Sequence, residues 1–230
     1  MYYLRSKSFS FRAFSGILIF LILSGIGIIG GAFSVFGAET ADIVDYRTFF
    51  GFDPRTTVWI IAELHLMFGA FVLGVPMFAV TVEYVGVLTK EERYDRLAKD
   101  FTRLLSASFA LTAALGGLLT FALFTLYPKV MTFMSGIFHE SFYIYAFFFF
   151  GETFVLYFYY YSWDRLKDRK GIHISAGVLL NIIGLIIMGI SNSWATYMMS
   201  PSGIDPETMK FTGTLMDAIW NPLWNPLNLH

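Results

Sequence analysis

Several acidic and histidine side chains fall inside long apolar stretches of this sequence, where an ionisable group is costly to bury in lipid. They occupy five places: Glu63, His65, Glu83, His139 with Glu140, and Glu152. Ionisable groups at membrane depth usually face a cofactor, an ion path or a partner. These residues are therefore the first candidates for chemistry.

His65 and Glu83 belong to the same apolar stretch and are eighteen residues apart. At 1.5 Å and 100° per residue, this spacing puts both side chains on one face of a helix, about 27 Å apart. Neutral imidazole is a common haem ligand, and the alternative for His65 is a hydrogen bond between helices. For Glu83 the alternative to a functional role is a snorkelling or lysine-paired carboxylate at the helix end.

Glu152 follows four consecutive phenylalanines and a glycine. A carboxylate in such surroundings can carry protons or ligate a metal, and the alternative is a hydrogen bond to a tyrosine on a neighbouring helix. His139 and Glu140 are expected near the outer start of a helix, where a boundary cap is the alternative. His173 is interpreted as an ordinary residue at the boundary of the membrane.

The elements that carry these residues follow from composition. The chain has 56% apolar and 14% charged residues, against about 45–50% and 25% in soluble domains. A formal net charge of −1 leaves no basic surplus to neutralise phosphates, which argues against nucleic acid as a partner. The absence of cysteine excludes disulfides, iron–sulfur clusters, thiolate zinc sites and covalent c-type haem attachment in this chain.

Five stretches are long and apolar enough to cross a membrane as helices. We predict spans near 14–37, 57–88, 101–127, 134–162 and 173–199. The first follows basic residues, as in a signal peptide, but its apolar run is too long and lacks a good cleavage site. We therefore expect a retained helix, and an all-α integral membrane protein with five transmembrane helices.

Lysine and arginine predict the orientation, because they are enriched on the cytoplasmic side. Twelve of the sixteen cations fall in the N-terminus, the second loop and the fourth loop: Arg5, Lys7, Arg12, Lys90, Arg93, Arg96, Lys99, Arg103, Arg165, Lys167, Arg169 and Lys170. We expect this side to be cytoplasmic, including the N-terminus. The region 38–56 and the tail after residue 200 then face outward, with the tail lying along the membrane surface.

The spacing of these residues resembles the N-terminal half of subunit I of cytochrome bd quinol oxidases. Arg55 stands ten residues before His65 and Glu83 eighteen residues after it, as in the family. The resemblance implies that His65 ligates haem and that Arg55 pairs with a haem propionate. The run FALTAALGG at 109–117 is also similar to the family.

Further similarity lies toward the end of the chain. The stretch GETFVLYFYYYSWDRL is similar to a family ending in which the glutamate, here Glu152, is linked to proton delivery. The stretch SNSWATYMMSPSG is similar to a family tryptophan signature with altered spacing, which implies a cofactor-binding role for Trp194. In NPLWNPLNLH a histidine is the tenth residue from an Asn-Pro pair, which implies that His230 is an axial ligand of a low-spin b haem.

The sequence also departs from the family pattern. The resemblance covers roughly 55–230 and includes the first four helices of the family, while 14–37 adds a helix before them. A second family glutamate falls near Ile144 or Tyr145, and Glu140, one turn earlier, is a candidate replacement. The resemblance implies a split or truncated paralogue, whose partner subunits supply the remaining helices and the second haem ligands.

Three regions follow: 1–54 as an extra N-terminal helix and outer loop, 55–200 as a bd-like four-helix bundle, and 201–230 as an interfacial tail ending in a candidate haem ligand. The resemblance implies a subunit of a quinol oxidase-like oxidoreductase complex in a bacterial or archaeal cytoplasmic membrane. It implies one or two b haems, with high-spin haem b or d as further candidates, and quinol as substrate of the complex. Glu152, Glu83 and Glu140 would transfer protons.

Alternatives remain open at this point. The chain can be a haem relay without oxygen reduction, or a haem-free structural or anchor subunit of a larger membrane complex. The buried acids alone are also compatible with a proton or ion transporter. Haem spectra and oxygen uptake of purified material distinguish the first two.

Overall fold

The computed structural model describes residue 48 and residues 51–230, so the span predicted at 14–37 lies outside the described residues. Four long helices follow one another along the chain: α1 (Pro54–Thr89), α2 (Glu92–Leu126), α3 (Pro128–Tyr161) and α4 (Lys170–Met199). Two short helices complete the described part: α5 (Leu215–Ile219) and α6 (Trp224–Leu229). The described residues form no strand beyond one antiparallel bridge between Ile204 and Phe211.

Local signals explain where the first helix begins and ends. Asp53 caps α1, because its carboxylate accepts hydrogen bonds from the backbone nitrogen and the hydroxyl of Thr56, at 3.0 and 2.6 Å. These bonds hold the pKa of Asp53 below its ordinary value. Pro54 occupies the first turn, where its missing N–H costs nothing. Lys90 ends α1 in the left-handed conformation, with a φ of 59°.

Short connections make the long helices an antiparallel bundle. A single residue, Tyr127, separates α2 from α3, and only two residues separate α1 from α2. In the bundle α1 packs against α2 and α4, while α3 packs against α2 and α4. Each long helix contributes buried side chains to a central apolar cluster: Val72, Val75, Leu105, Phe109, Val155, Leu156, Leu180 and Ile183.

The outer surface of this bundle is apolar. Phe147 and Phe154, for example, are each 74% exposed. All four long helices have the length and composition needed to cross a membrane. A helix that is apolar on every side suits lipid on one face and a protein neighbour on the other. The predicted fold class, an all-α integral membrane protein with a four-helix bundle, is confirmed for residues 54–199.

Each of the four long helices begins before its predicted span. The largest difference is in α2, which begins at Glu92 rather than near residue 101. The span prediction followed the apolar run, whereas the charged residues before it also form helix. Glu92 and Asp95 lie in the first turn, where acidic side chains interact favourably with the helix dipole.

The tail after residue 200 packs back onto the bundle through α5 and α6. Thr214 and Asp217 form a capping box at the start of α5. The backbone nitrogen and hydroxyl of Thr214 donate hydrogen bonds of 2.7 and 2.8 Å to the Asp217 carboxylate, which lowers the pKa of Asp217. The tail is therefore a folded element with its own helix signals.

Candidate functional site

His65 lies half-buried in α1, with its ring against α2. Its Nδ1 atom is 3.1 Å from the backbone carbonyl oxygen of Thr112. A carbonyl can only accept, so Nδ1 carries the proton in the neutral ring and Nε2 keeps its lone pair. Metal-ligating histidines commonly donate their other ring nitrogen to such an oxygen. His65 therefore fits a haem-iron ligand through Nε2.

The backbone of α2 approaches the His65 ring at Gly116. A Cβ atom at this position would lie 2.9 Å from Cε1 and 3.3 Å from Nδ1 of His65. Thr112 and Gly116 are one turn apart and both belong to the FALTAALGG run. This run therefore holds the His65 ring in place. The spacing of residues within α1 could not predict this contact.

Arg55 and Glu63 lie on the outside of the described bundle. Arg55 is exposed in the first turn of α1, about 15 Å along the helix axis from His65. Glu63 is exposed as well, on a different side of α1 from His65. The Arg55 side chain is accessible to lipid headgroups, a cofactor or a partner subunit, and that of Glu63, farther along the apolar helix, to a cofactor or a partner subunit.

Glu83 is buried near the C-terminal end of α1, with 1% exposure. Its Oε2 accepts a hydrogen bond of 2.8 Å from the Tyr159 hydroxyl, and its Oε1 accepts one of 3.0 Å from Nζ of Lys170. This is the lysine-paired arrangement that the sequence left as an alternative. Glu83 reaches α3 and α4, whereas His65 contacts α2. The two residues therefore face different neighbours, because packed helices cross α1 at an angle.

His173 lies in the first turn of α4, as expected of a boundary residue, but its side chain is fully buried. Its Nδ1 lies 2.7 Å from Oε1 of Glu83, and its Nε2 lies 2.8 Å from the backbone oxygen of Tyr159. The ring stacks on Tyr159 with 4.4 Å between centroids and meets Trp163 edge to face at 4.5 Å. The residues beside His173 in the sequence give no hint of these partners, which come from other elements.

Asp95 of α2 also contacts this group of side chains. Its carboxylate pairs with Lys170 and accepts a hydrogen bond of 3.1 Å from Nε1 of Trp163. All four long helices and the loop after α3 thus meet at one end of the bundle. We call this group the buried polar cluster: Glu83, Asp95, Tyr159, Trp163, Lys170 and His173.

An ion pair lies beside the buried polar cluster, nearer the surface. Nζ of Lys99 is 2.7 Å from Oδ1 of Asp164, whose side chain is 86% exposed. The hydrogen bond from Lys99 holds the pKa of Asp164 below its ordinary value. The pair connects α2 to the loop between α3 and α4.

Glu152 is buried in the second half of α3, two turns before Tyr159. A Cβ atom on Gly184 would lie 3.2 Å from its Oε1, so α4 passes close to the carboxylate. Within the described part of the chain, the carboxylate forms no hydrogen bond to a tyrosine of a neighbouring helix. Asn181, one turn before Gly184, also has a buried side-chain oxygen without a described partner. Two polar groups with spare hydrogen-bonding capacity thus lie on adjacent helices.

Trp194 lies near the end of α4 and faces α3. Its Nε1 donates a hydrogen bond of 2.9 Å to the hydroxyl of Ser141. Its ring lies 4.7 Å from Phe142 and 4.9 Å from Tyr145, measured between centroids. The indole is therefore held in one orientation within an aromatic group.

The tail that carries His230 is fixed to α4 by several polar contacts. Asn221, which is buried, donates a hydrogen bond of 2.9 Å to the hydroxyl of Thr196. Trp224 donates one of 2.9 Å to the carbonyl of Gly189, and an amide contact of 2.9 Å joins Asn192 to Asn228. These contacts hold α6 against α4.

His230 itself is exposed at the end of α6. Its backbone nitrogen donates to the carbonyl of Pro226 at 3.2 Å. Its imidazole forms no hydrogen bond to another described residue. The ring is therefore accessible to a ligand or partner outside this part of the chain.

His139 and Glu140 are exposed in the first half of α3. They line a shallow pocket together with Ser135, Gly136, Ile137 and Leu215. Because α3 begins at Pro128, neither residue caps the helix. The boundary-cap alternative is wrong, because the helix starts more than two turns earlier than a cap at this position would require.

The structure brings Glu83 into a cluster and places His139 and Glu140 in one pocket, but it keeps the remaining candidates apart. Among residues 51–230, no three histidine, aspartate or glutamate side chains lie close enough together to hold a metal ion. The fold and the sites define a helical integral membrane protein with ionisable groups inside its bundle. A family model described as cytochrome bd terminal oxidase subunit I matches residues 54–230.

This match covers most of the chain, which therefore belongs to the cytochrome bd terminal oxidase subunit I family. The resemblance predicted from the sequence is confirmed. The comparison with curated proteins found no match. The family match and the four membrane-crossing helices together identify the chain as a membrane subunit of the respiratory oxidase type.

Proposed function

We propose that this protein is a haem-binding subunit of a membrane complex that transfers electrons from quinol, with His65 as an axial haem ligand. The geometry of His65 carries the proposal. Nδ1 donates to the carbonyl of Thr112, so Nε2 is available to iron. Membership of the bd subunit I family supports the same assignment.

Haem, when bound, supplies reversible one-electron chemistry. The contribution of this chain is to position and enclose it. Gly116 leaves room for the His65 ring beside α2, and Thr112 fixes the orientation of the ring. Arg55 would pair with a propionate through a charge-assisted hydrogen bond.

His230 would ligate a second, low-spin b haem. Its exposed ring has room for such a ligand, and the contacts of the tail with α4 would fix its position. The opposite ligand would come from a partner subunit that also supplies the remaining bd-like helices. Trp194, held by Ser141, would lie against the cofactor.

Proton transfer is assigned to Glu152, with Glu83 and Glu140 as further candidates. The spare hydrogen-bonding capacity of Glu152 and Asn181 supports a place for water between α3 and α4. Glu83 would exchange protons at the end of the bundle occupied by Lys170. Glu140 would act from the exposed face of α3.

The distribution of cations supports a topology for the whole chain. The N-terminus and the buried polar cluster would face the cytoplasm of a bacterial or archaeal cell, and the tail would face outward. Region 1–54 would add a transmembrane helix to the bundle of 55–200. The tail of 201–230 would lie at the outer surface.

The test is a reduced-minus-oxidised optical spectrum of the complex purified from its membrane. Wild type is compared with His65→Ala, His230→Ala and the control His139→Ala, which removes an exposed histidine. We expect His65→Ala and His230→Ala each to remove a distinct b-type signal and the control to keep both. Oxygen uptake with a quinol donor is measured on the same samples.

The outcomes separate the alternatives. If the four spectra are the same, neither histidine ligates haem, and the haem-free anchor subunit replaces our proposal. Haem signals without oxygen uptake would indicate a relay of electrons to another subunit. Loss of one signal only would restrict the assignment to that histidine.

A further inference from the structure

The two ring nitrogens of His173 both face hydrogen-bond acceptors. Nε2 lies 2.8 Å from the backbone oxygen of Tyr159, which can only accept, so Nε2 carries a proton. Nδ1 lies 2.7 Å from Oε1 of Glu83, a distance that requires a proton between the two atoms. Both side chains are fully buried, so water cannot fill the contact instead.

We propose that His173 and Glu83 form a buried proton-binding site, which holds one proton more than a neutral imidazole beside an ionised carboxylate. Two arrangements satisfy the geometry. Either the ring is a doubly protonated imidazolium beside a carboxylate, or a neutral ring accepts a proton from a carboxylic acid. The proton count of the pair is the same in both.

The hydrogen bonds to Glu83 favour the imidazolium. Its Oε2 accepts from the Tyr159 hydroxyl at 2.8 Å, and its Oε1 accepts from Lys170 at 3.0 Å as well as facing His173. An ionised carboxylate is an acceptor only and can take several such bonds. Two donors besides His173, the Tyr159 hydroxyl and the Lys170 ammonium, are thus directed at one carboxyl group, which favours its ionised form.

The charges that surround the pair agree with this proton count. Every packed element contributes: Glu83 from α1, Asp95 from α2, Tyr159 from α3, Trp163 from the following loop, and Lys170 with His173 from α4. Two carboxylates face one ammonium group, so the cluster is neutral only if the His173–Glu83 pair holds the extra proton. A neutral set is far less costly to bury than one with an unpaired charge.

Aromatic rings also favour a positively charged His173. The imidazole stacks on Tyr159 at 4.4 Å and 25°, and Trp163 meets it at 4.5 Å and 74°. The faces of aromatic rings attract cations. Lys170, 5.1 Å from the Trp163 ring, links the site to the surface because its side chain is partly exposed.

This site deepens the proton-transfer role proposed for Glu83, but its proton count needs no haem. The histidine is the group that holds the proton, and Lys170 with Asp95 forms its entrance. A loss of haem in His65→Ala would leave the proton count unchanged. The two proposals can therefore fail separately.

The experiment measures the protonation of both partners in the purified full chain at about pH 7.5. ¹⁵N-labelled histidine reports on the ring, and ¹³C-labelled glutamate reports on the carboxyl group. Of the four histidines, His173 is assigned as the signal that remains in the triple variant His65→Gln, His139→Gln and His230→Gln. The Glu83 signal is assigned by its loss in Glu83→Gln.

We expect two protonated ring nitrogens beside an ionised Glu83. A neutral ring beside a protonated Glu83 has the same proton count and also supports the site. A neutral ring beside an ionised Glu83 overturns the proposal. The outcome is read in the wild-type spectrum, and the variants serve only to assign its signals. If the triple variant folds poorly, the single substitutions His65→Gln, His139→Gln and His230→Gln assign His173 by elimination, and Glu83→Asp assigns Glu83 if Glu83→Gln folds poorly.

A matched pair of substitutions then tests the role of Glu83. In Glu83→Gln we expect His173 to lose one of its two ring protons, because the amide can donate to Nδ1. The control Glu63→Gln, with an exposed side chain on the same helix, is expected to leave the ring signals as they are. A doubly protonated His173 in Glu83→Gln would show that Glu83 is not its partner, and would overturn the pair.

Discussion

Gly177 of α4 faces the ring of Tyr159 of α3 so closely that a Cβ atom there would lie 3.0 Å from Cε2 of the tyrosine. The same atom would also collide with Val80 of α1. The tyrosine cannot move away freely, because its hydroxyl is bound to Glu83. Gly177 thus sets how closely α4 approaches α1 and α3.

Gly177→Ala is therefore expected to destabilise the bundle, by about 1–3 kcal/mol, as for other overpacked cores. The control is Gly171→Ala in the same helix, where an added Cβ would have no neighbour within 4 Å. That change should be neutral or slightly stabilising, because alanine favours the helix. Thermal unfolding in detergent measures both, and equal midpoints for the two variants would contradict the prediction.

The contact between Gly116 and His65 gives a second prediction, which depends on the proposed haem site. Gly116→Ala would push the imidazole away and weaken its hydrogen bond to Thr112. Loss of such an orienting contact typically lowers metal affinity by about 10–100-fold. We expect a lower ratio of haem to protein after purification than in Gly136→Ala, which adds a methyl group in open space. The same ratio in both variants would argue against His65 as the ligand.

The pair of Lys99 and Asp164 makes stability depend on pH. Because the folded state lowers the pKa of Asp164 from 3.8, the carboxylate stabilises the fold above that pH. The contribution disappears as pH falls through the lowered pKa. Asp164 is largely exposed, so Asp164→Asn should cost only about 0.2–1 kcal/mol at neutral pH.

Thermal midpoints of wild type and Asp164→Asn at neutral pH and below pH 3.8 test this dependence. The difference between them should shrink at the lower pH, and also in high salt, which screens exposed charges. The control is Asp168→Asn in the same loop, whose side chain is exposed and has no ion pair among the described residues. A difference that is constant with pH would indicate that Asp164 acts through something other than its charge.

The four membrane spans within residues 54–199 were predictable because each is a long apolar run, which can be read from the local sequence alone. Helix ends were harder to predict, since the largely charged stretch from Glu92 to Asp100 forms the first turns of α2. The partners of His65 were beyond prediction for a different reason. Thr112 lies forty-seven residues away, and only the packing of α1 on α2 brings it to the ring.

His173 shows most clearly what local sequence does not predict. It stands at the start of an apolar stretch, a position that many ordinary boundary histidines share. What distinguishes it is burial against Glu83, ninety residues earlier in the chain. Spacing within one helix predicts which residues share a face, but it carries no information on which other helix covers that face.

The last prediction concerns the two Asn-Pro pairs of the tail, whose asparagines differ in burial and in hydrogen bonding. Asn221 is 3% exposed and donates to Thr196 and to the carbonyl of Ala218, at 2.9 and 3.0 Å. Asn225 is exposed. Both are followed by Pro-Leu, so local sequence does not separate them.

Asn221→Ala removes these bonds and leaves buried acceptors without a donor, at a cost of about 1–3 kcal/mol. Because the bond to Thr196 joins the tail to α4, we expect the loss to appear as local opening of residues 201–230 while the long helices stay protected. Hydrogen exchange read by mass spectrometry should show faster exchange in that region than in Asn225→Ala, which keeps every contact of Asn221. Equal exchange in the two variants would mean that Trp224 and Asn228 hold the tail without Asn221, and His230 would then keep its position in both.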